Sequence, residues 1–267
     1  MSTVITHKQF PNHKTYKMDL CGRPLTIDVG KVAELATASA MVSYGETTVL
    51  VAVTAAPRPR DGVDFFPLSV DFEEKLYAVG RIPGSFMRRE GQPSLPAVLA
   101  ARVIDRSIRP LFPYDFRNDV VVTCTVMSVD RDCSPEMTAM IGVSACLAYS
   151  EIPWAGPIGC MEMGYVDGQI VKNPTQEQKH ASKLDLTVAA TDGKVIMIEA
   201  GADQIPDDIM YDAILQAHEE CRKQVAFLNT IVSEIGKEKM TYDHADFDYE
   251  LFDKIVEATM DEAKAAM

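Results

Sequence analysis

No apolar run in the 267 residues approaches the length needed to cross a bilayer. The N-terminal stretch MSTVITHKQFPNHK also lacks the hydrophobic segment of a signal peptide. Both absences predict a soluble, cytoplasmic protein with no membrane partner. Six cysteines (Cys21, Cys124, Cys133, Cys146, Cys160 and Cys221) are spread without a C-x-x-C pair, which argues against a zinc centre and a disulfide scaffold and for reduced, mostly buried thiols. The histidines His7, His13, His180, His218 and His244 form no constellation with a nucleophilic Ser or Cys, so a hydrolase has little support. Gly80 to Gly84 lacks the Lys-Ser/Thr ending of a phosphate-cradling Walker loop. No short-period repeat or low-complexity tract is visible.

Positive charge is scarce as well. With 26 Lys and Arg against 39 Asp and Glu, the chain carries a net charge of −13 and a pI near 4.8. A general nucleic-acid coat protein is thereby disfavoured, because such affinity comes largely from neutralising phosphates. Any site for a polyanion must be local, with an acidic exterior focusing the ligand onto a basic path.

One such local segment exists. Seven of the twelve arginines lie between Arg81 and Arg117 against three acids, Glu90, Asp105 and Asp115, so the stretch is net +4. Its first half, GRIPGSFMRREGQP, is too densely punctuated by Gly80, Pro83, Gly84, Gly91 and Pro93 for a helix or strand, which places Phe86, Met87, Arg88 and Arg89 at a loop tip. A ring beside paired guanidinium forks suits single-stranded RNA, the ring stacking on a base while the forks hold phosphates. The alternative is a solvated loop whose Phe86 tucks into a local core. The second half predicts a helix with Ser94 as N-cap and Pro110 as its stop. At 100° per residue, Arg102, Arg106 and Arg109 share one stripe, and Ala97, Ala100, Ile104 and Ile108 share the opposite one. Arg102 and Arg109 also flank Asp105 at helical spacing, so surface ion pairing competes with ligand binding as the reason for the stripe.

Around this segment the chain alternates turn signals with β-rich runs. YKMDL, PLTIDVG, AMVSYG and TTVLVAVTAA, with Gly22 and Gly45 between them, read as antiparallel hairpins. FFPLSVDFEEK and DVVVTCTVMSVD read as further strands, the latter buried. Ser134 and Pro135 open a helix, MTAMIGVSACLAYS, that is apolar almost all round and hence central. A second β region, IGCMEMGYV, LDLTVAAT and VIMIEAG, follows. A long amphipathic helix then starts at Pro206, Asp207 and Asp208 and stops at Gly236. The last stretch, DHADFDYELFDKIVEATMDEAKAAM, has eight acids against two lysines. It reads as the start of another, all-helical element, with Phe247, Leu251, Phe252, Ile255, Val256 and Met260 as its apolar positions.

The runs DFFPLSVDFEEKLYAVGRIPGSFMRREGQPS and ARVIDRSIRPLFP, followed by AMIGVSACLAYSEIPWAGPIG and NPTQEQKHASKLDLTVAAT, resemble the first RNase PH-like core of bacterial polynucleotide phosphorylases over nearly the whole chain. The resemblance implies an α+β fold of mixed sheets packed with helices, with the core at residues 1–238 and a helical linker domain beginning at 239–267. It implies a homotrimeric 3′→5′ phosphorolytic exoribonuclease whose co-substrate is inorganic phosphate, whose Mg²⁺ belongs to a second core, and whose RNA runs through a central channel. In that family the loop typically reads Phe-Phe-Arg-Arg and lines the channel constriction. Phe86, Met87, Arg88 and Arg89 match it, with Met87 in place of one ring, and Arg102, Arg106 and Arg109 extend the expected RNA-binding set.

The resemblance also implies where chemistry is missing. The family's active core has an Asp six residues before a second Asp, with Lys two residues after the second. Here those positions hold Lys179, Asp185 and Thr187, leaving Asp185 as a lone, vestigial candidate that cannot hold a divalent ion by itself. Adjacent serines at a helix N-terminus bind phosphate in the active core, whereas Pro135 and Glu136 stand there in this chain. Glu136 brings its own anion to that helix end. The expectation is therefore an RNA-threading, assembly-forming core without a catalytic or metal site. Its rivals are a self-sufficient RNase PH-type enzyme, in which an unrecognised acid set completes Asp185, and a non-enzymatic interaction module.

Overall fold

The computed structural model describes residues 10–244 and 249–266. The first four β-rich runs fold as a meander of β1 (Lys14–Leu20), β2 (Arg23–Val29), β3 (Ala38–Tyr44) and β4 (Thr47–Ala55), each antiparallel to the next. Alternation sets which face is buried: Leu25, Ile27 and Val29 of β2 point into the core between more exposed neighbours. β6 (Val120–Ser128) joins antiparallel to β4 and parallel to β5 (Leu68–Glu74), giving the sheet order β1-β2-β3-β4-β6-β5.

That one parallel pair fixes where the arginine segment lies. Parallel neighbours need a crossover connection, and here the crossover comprises the arginine loop and α1 (Leu95–Ile108). Ser94 caps α1 by accepting the Ala97 N–H at 3.1 Å, and Ala97, Ala100, Ile104 and Ile108 are buried as the periodicity predicts. A single 3-10 turn at Arg109–Leu111 ends the helix at Pro110.

The second sheet is antiparallel, with β7 (Gly159–Val166), β8 (Gln169–Lys172), β9 (Leu184–Ala190) and β10 (Val195–Ala202) in the order β10-β9-β7-β8. α4 (Asp207–Ile235) lies across β7 and β9. α2 (Pro135–Tyr149) packs on β3 and β4 and also on β7 and α4, which explains why every residue from Met137 to Tyr149 is buried. Two structures went unread in the sequence. β8 follows the tight Asp167-Gly168 turn, and the short α3 (Gln176–Ala181) begins with a Thr175/Gln178 capping box.

The chain remains docked beyond α4. Lys237 and Met240 donate backbone N–H groups to the carbonyls of Tyr149 and Glu151 at 2.9 and 2.7 Å. The Lys239 amine caps the C-terminus of α2, donating to the carbonyls of Leu147, Ala148 and Ser150 at 3.1, 3.0 and 2.8 Å. Tyr242 donates to Asp115 at 2.9 Å, and His244 meets the other oxygen of that carboxylate at 2.5 Å; the His244 hydrogen bond is the largest influence holding the Asp115 carboxyl below its ordinary value. The expected boundary at 238/239 thus falls inside this docked connector. α5 (Tyr249–Ala266) has no buried residue, and Leu251, Phe252, Ile255 and Met260 are exposed. Phe247 lies outside the described residues. Among the described residues, no helix is long and apolar enough to cross a membrane.

Candidate nucleic-acid interface and adjacent cavity

β5 ends at Glu74, and the chain turns through a single-turn 3-10 helix, Leu76–Val79, closed by Gly80 in the left-handed conformation at φ 70°. A side chain at Gly80 would strain this turn, which starts the loop. The tip is a second turn, in which Arg88 donates its N–H to the Ser85 carbonyl at 2.9 Å with φ 47°. Phe86 is 100% exposed, which excludes the alternative in which its ring tucks into a local core. Met87 is exposed beside it. Among the described residues, the side chains of Arg81, Arg88 and Arg89 form no hydrogen bond or ion pair, so their donors are available to a ligand. The loop joins its neck through two carboxylates: Glu90 accepts the Leu76 N–H at 3.0 Å, and Glu74 accepts the Ser94 hydroxyl at 2.6 Å.

The helical arginines are more committed. Arg109 forks onto Asp105, at 2.7 and 3.1 Å, and donates to the carbonyls of Phe66 and Leu68 at 3.2 Å, which ties α1 to the start of β5. Arg106 lies 3.6 Å from Glu199 on β10. Arg102 has no ion pair among the described residues and lines a hollow with Asp71, Glu73 and Asp105. Of the expected stripe, Arg102 is therefore the residue least engaged by the protein itself.

The positions expected to have lost their chemistry come together. Glu136, Lys179, Asp185 and Thr187, drawn from α2, α3 and β9, line one cavity of about 620 Å³ between α1 and the second sheet. Glu162 and Glu199 complete its polar wall, while Leu99, Val103, Met137 and Met140 contribute apolar lining. Lys179 is held by Glu162 at 2.6 Å. At the N-terminus of α2, the Ser134 hydroxyl donates to Glu136 at 2.8 Å, so the chain's own carboxylate occupies the place where a helix end would attract an anion. Four carboxylates face one ammonium in this cavity, a balance that opposes phosphate entry. Among the described residues, no three His, Cys, Asp or Glu side chains converge closely enough to hold a metal ion. Glu162 and Glu199 were not found in the sequence, because they act only once β7 and β10 lie beside β9 and no local spacing marks them.

Of the buried cysteines, Cys160 lines this cavity, where burial holds its thiol well above its ordinary value. Burial pushes the Cys133 thiol up to about 11 and those of Cys146 and Cys221 up to about 12, so they remain protonated and unreactive at neutral pH. Cys21, by contrast, is exposed.

Two family descriptions match along the chain: "3′ exoribonuclease family, domain 1" at residues 22–153 and "3′ exoribonuclease family, domain 2" at residues 156–220. The division between them coincides with the passage from the first sheet to the second. The chain belongs to the 3′ exoribonuclease family. Within that class it is similar to polyribonucleotide nucleotidyltransferases, being 54% identical over 254 residues to that of Ruminiclostridium cellulolyticum, a match covering 95% of this chain. The corresponding enzyme of Clostridioides difficile is 51% identical over 255 residues, covering 96% of this chain. The chain spans 36% of the length of each of these relatives. The crystal structure of rice (Oryza sativa) Rrp46 superimposes with a TM-score of 0.64 at 16% identity, covering 80% of this chain and 96% of that one, which establishes the RNase PH-like fold.

Proposed function

We propose that this chain is the N-terminal core of a phosphorolytic 3′→5′ exoribonuclease and that its own task is to grip single-stranded RNA and build a homotrimer, in the cytoplasm. The observation that carries this reading is the loop tip, where Phe86 stands fully exposed next to Arg88 and Arg89, whose side chains are unpaired among the described residues, on a protein of net charge −13. Such a tip offers one stacking face and two phosphate forks, and Arg102 extends the basic path along α1. Phosphorolysis requires an attacking inorganic phosphate and charge neutralisation at the scissile phosphodiester, which Mg²⁺ and cationic side chains supply. The donor set in the 620 Å³ cavity does not fit that task, because its four carboxylates face a single ammonium, Lys179, and repel phosphate, and among the described residues no three of them converge closely enough to hold a metal ion. The metal and the chemistry accordingly belong to another core of the longer protein, and this chain delivers RNA toward it.

The tip separates stacking from charge. Phe86→Ala weakens RNA binding by roughly 1–3 kcal/mol, the value of one base stacked on a ring, and leaves the salt dependence unchanged. Met87→Phe supplies a second ring and tightens binding. Titration of a labelled single-stranded oligonucleotide at several salt concentrations checks both, and an unchanged affinity in Phe86→Ala contradicts the stacking role.

A further inference from the structure

The loop that carries the RNA reading is fastened at its neck by side chains rather than by backbone. Glu74, at the end of β5, reaches forward across the neck to the Ser94 hydroxyl at 2.6 Å, and Glu90 reaches back to the Leu76 N–H at 3.0 Å. The backbone bonds within the loop, Arg81 N–H to Leu76 and Arg88 N–H to Ser85, each close a local turn. Among the described residues, no backbone hydrogen bond joins the outgoing limb to the returning one. Beneath the neck lies a hollow of about 730 Å³, lined by Leu76, Val79, Pro93, Val126 and Val129, with Glu90 at its edge. Little packing beneath the limbs therefore sets their spacing.

Glu90 is also the wrong charge for a phosphate-binding tip, although Lys75 lies near enough on the other side of the neck to interact with it. It follows Arg88 and Arg89 directly, and a carboxylate there repels the phosphates those arginines would hold. From this conflict, together with the Leu76 contact, we infer that Glu90 is a positioning residue of the RNA-binding loop, its carboxylate fixing the returning limb so that Phe86, Arg88 and Arg89 project in one orientation. The inference rests on the RNA reading above. Its physical basis is preorganisation: a loop already held in its binding shape loses less conformational freedom when RNA docks.

Charge and position predict opposite signs, which makes the inference testable in the full chain with a fluorescent oligouridylate as the probe. Glu90→Gln removes the charge but keeps an acceptor oxygen for the Leu76 N–H, so it binds RNA as tightly as the parent or more tightly. Glu90→Ala removes both, and binds about fivefold more weakly despite losing a repulsive charge, the equivalent of the ~1 kcal/mol net value of one hydrogen bond. Hydrogen exchange at the Leu76 amide reads the same contact without RNA, becoming about fivefold faster in Glu90→Ala and staying unchanged in Glu90→Gln. If Glu90→Ala binds as tightly as Glu90→Gln, or if the two weaken equally, the positioning role is overturned. An Arg88→Ala/Arg89→Ala control distinguishes the failures. If the control weakens binding, only the Glu90 inference falls; if it does not, the RNA reading of the loop falls and the inference with it.

Discussion

Alanine at both Arg88 and Arg89 weakens binding of single-stranded RNA by up to about 30-fold near physiological salt, two exposed ion pairs contributing up to ~1 kcal/mol each. The slope of log K against log salt falls by about 1.4, two phosphate contacts at ~0.7 each for a single strand. Both changes follow from the tip geometry, in which the two guanidinium groups have no competing acid partner among the described residues. The net charge of −13 makes the effect larger in relative terms, since little else on the surface attracts a polyanion. In a trimer, three such loops converging on one strand would act together, so the loss is greater there than in a single chain. Salt-dependent titration of the double variant and the parent gives both quantities.

A large loss of stability is expected at a residue with no polar function. Gly159 opens β7, where it lies against α4, and a Cβ added to it would meet the Cα and carbonyl oxygen of Cys221 at 2.6 Å. Both atoms belong to the backbone of α4, so a side-chain adjustment cannot relieve the clash. One residue further, Gln224 is fully buried and bonds both backbone groups of Cys160, accepting its N–H at 3.0 Å and donating to its carbonyl at 2.8 Å, so moving α4 away breaks that pair as well. Gly159→Ala accordingly destabilises the fold by about 3 kcal/mol. Thermal unfolding shows this as a melting temperature lower by roughly 6–12 °C for a domain of this size. A melting temperature within a degree or two of the parent contradicts the close helix–strand approach.

Much of this architecture was legible in the residues. Alternation in β2 and β4, the all-round apolarity of α2 and the Ser94 cap of α1 each report a local rule that the tertiary structure obeys. The short elements were harder, although their signals were present: the Asp167-Gly168 turn before β8 and the Thr175-x-x-Gln178 box before α3 are both readable patterns that carry little weight in a four-residue strand and a single-turn helix. At the site, the arginine loop was legible because glycine and proline density marks a loop and Phe86 stands only one residue, Met87, away from the paired arginines. The expectation that Lys179, Thr187, Pro135 and Glu136 replace catalytic groups came only through resemblance, and the structure adds that Glu136, Lys179, Asp185 and Thr187 share one cavity. The pairing of Lys179 with Glu162, the neck contacts of Glu74 and Glu90 and the Lys239 cap on α2 had no local signature. They join residues separated by 14 to 92 positions, and only the folded chain brings them together.

The central claim is that this chain binds RNA without degrading it. Its most direct test is to incubate the purified chain with single-stranded RNA, inorganic phosphate and Mg²⁺, measuring RNA binding and nucleoside diphosphate release on the same sample. The predicted result is binding that depends on Arg88 and Arg89, with no nucleoside diphosphate released above a protein-free control. Release that disappears in Asp185→Asn would contradict it, and would make the cavity around Asp185 a working active site.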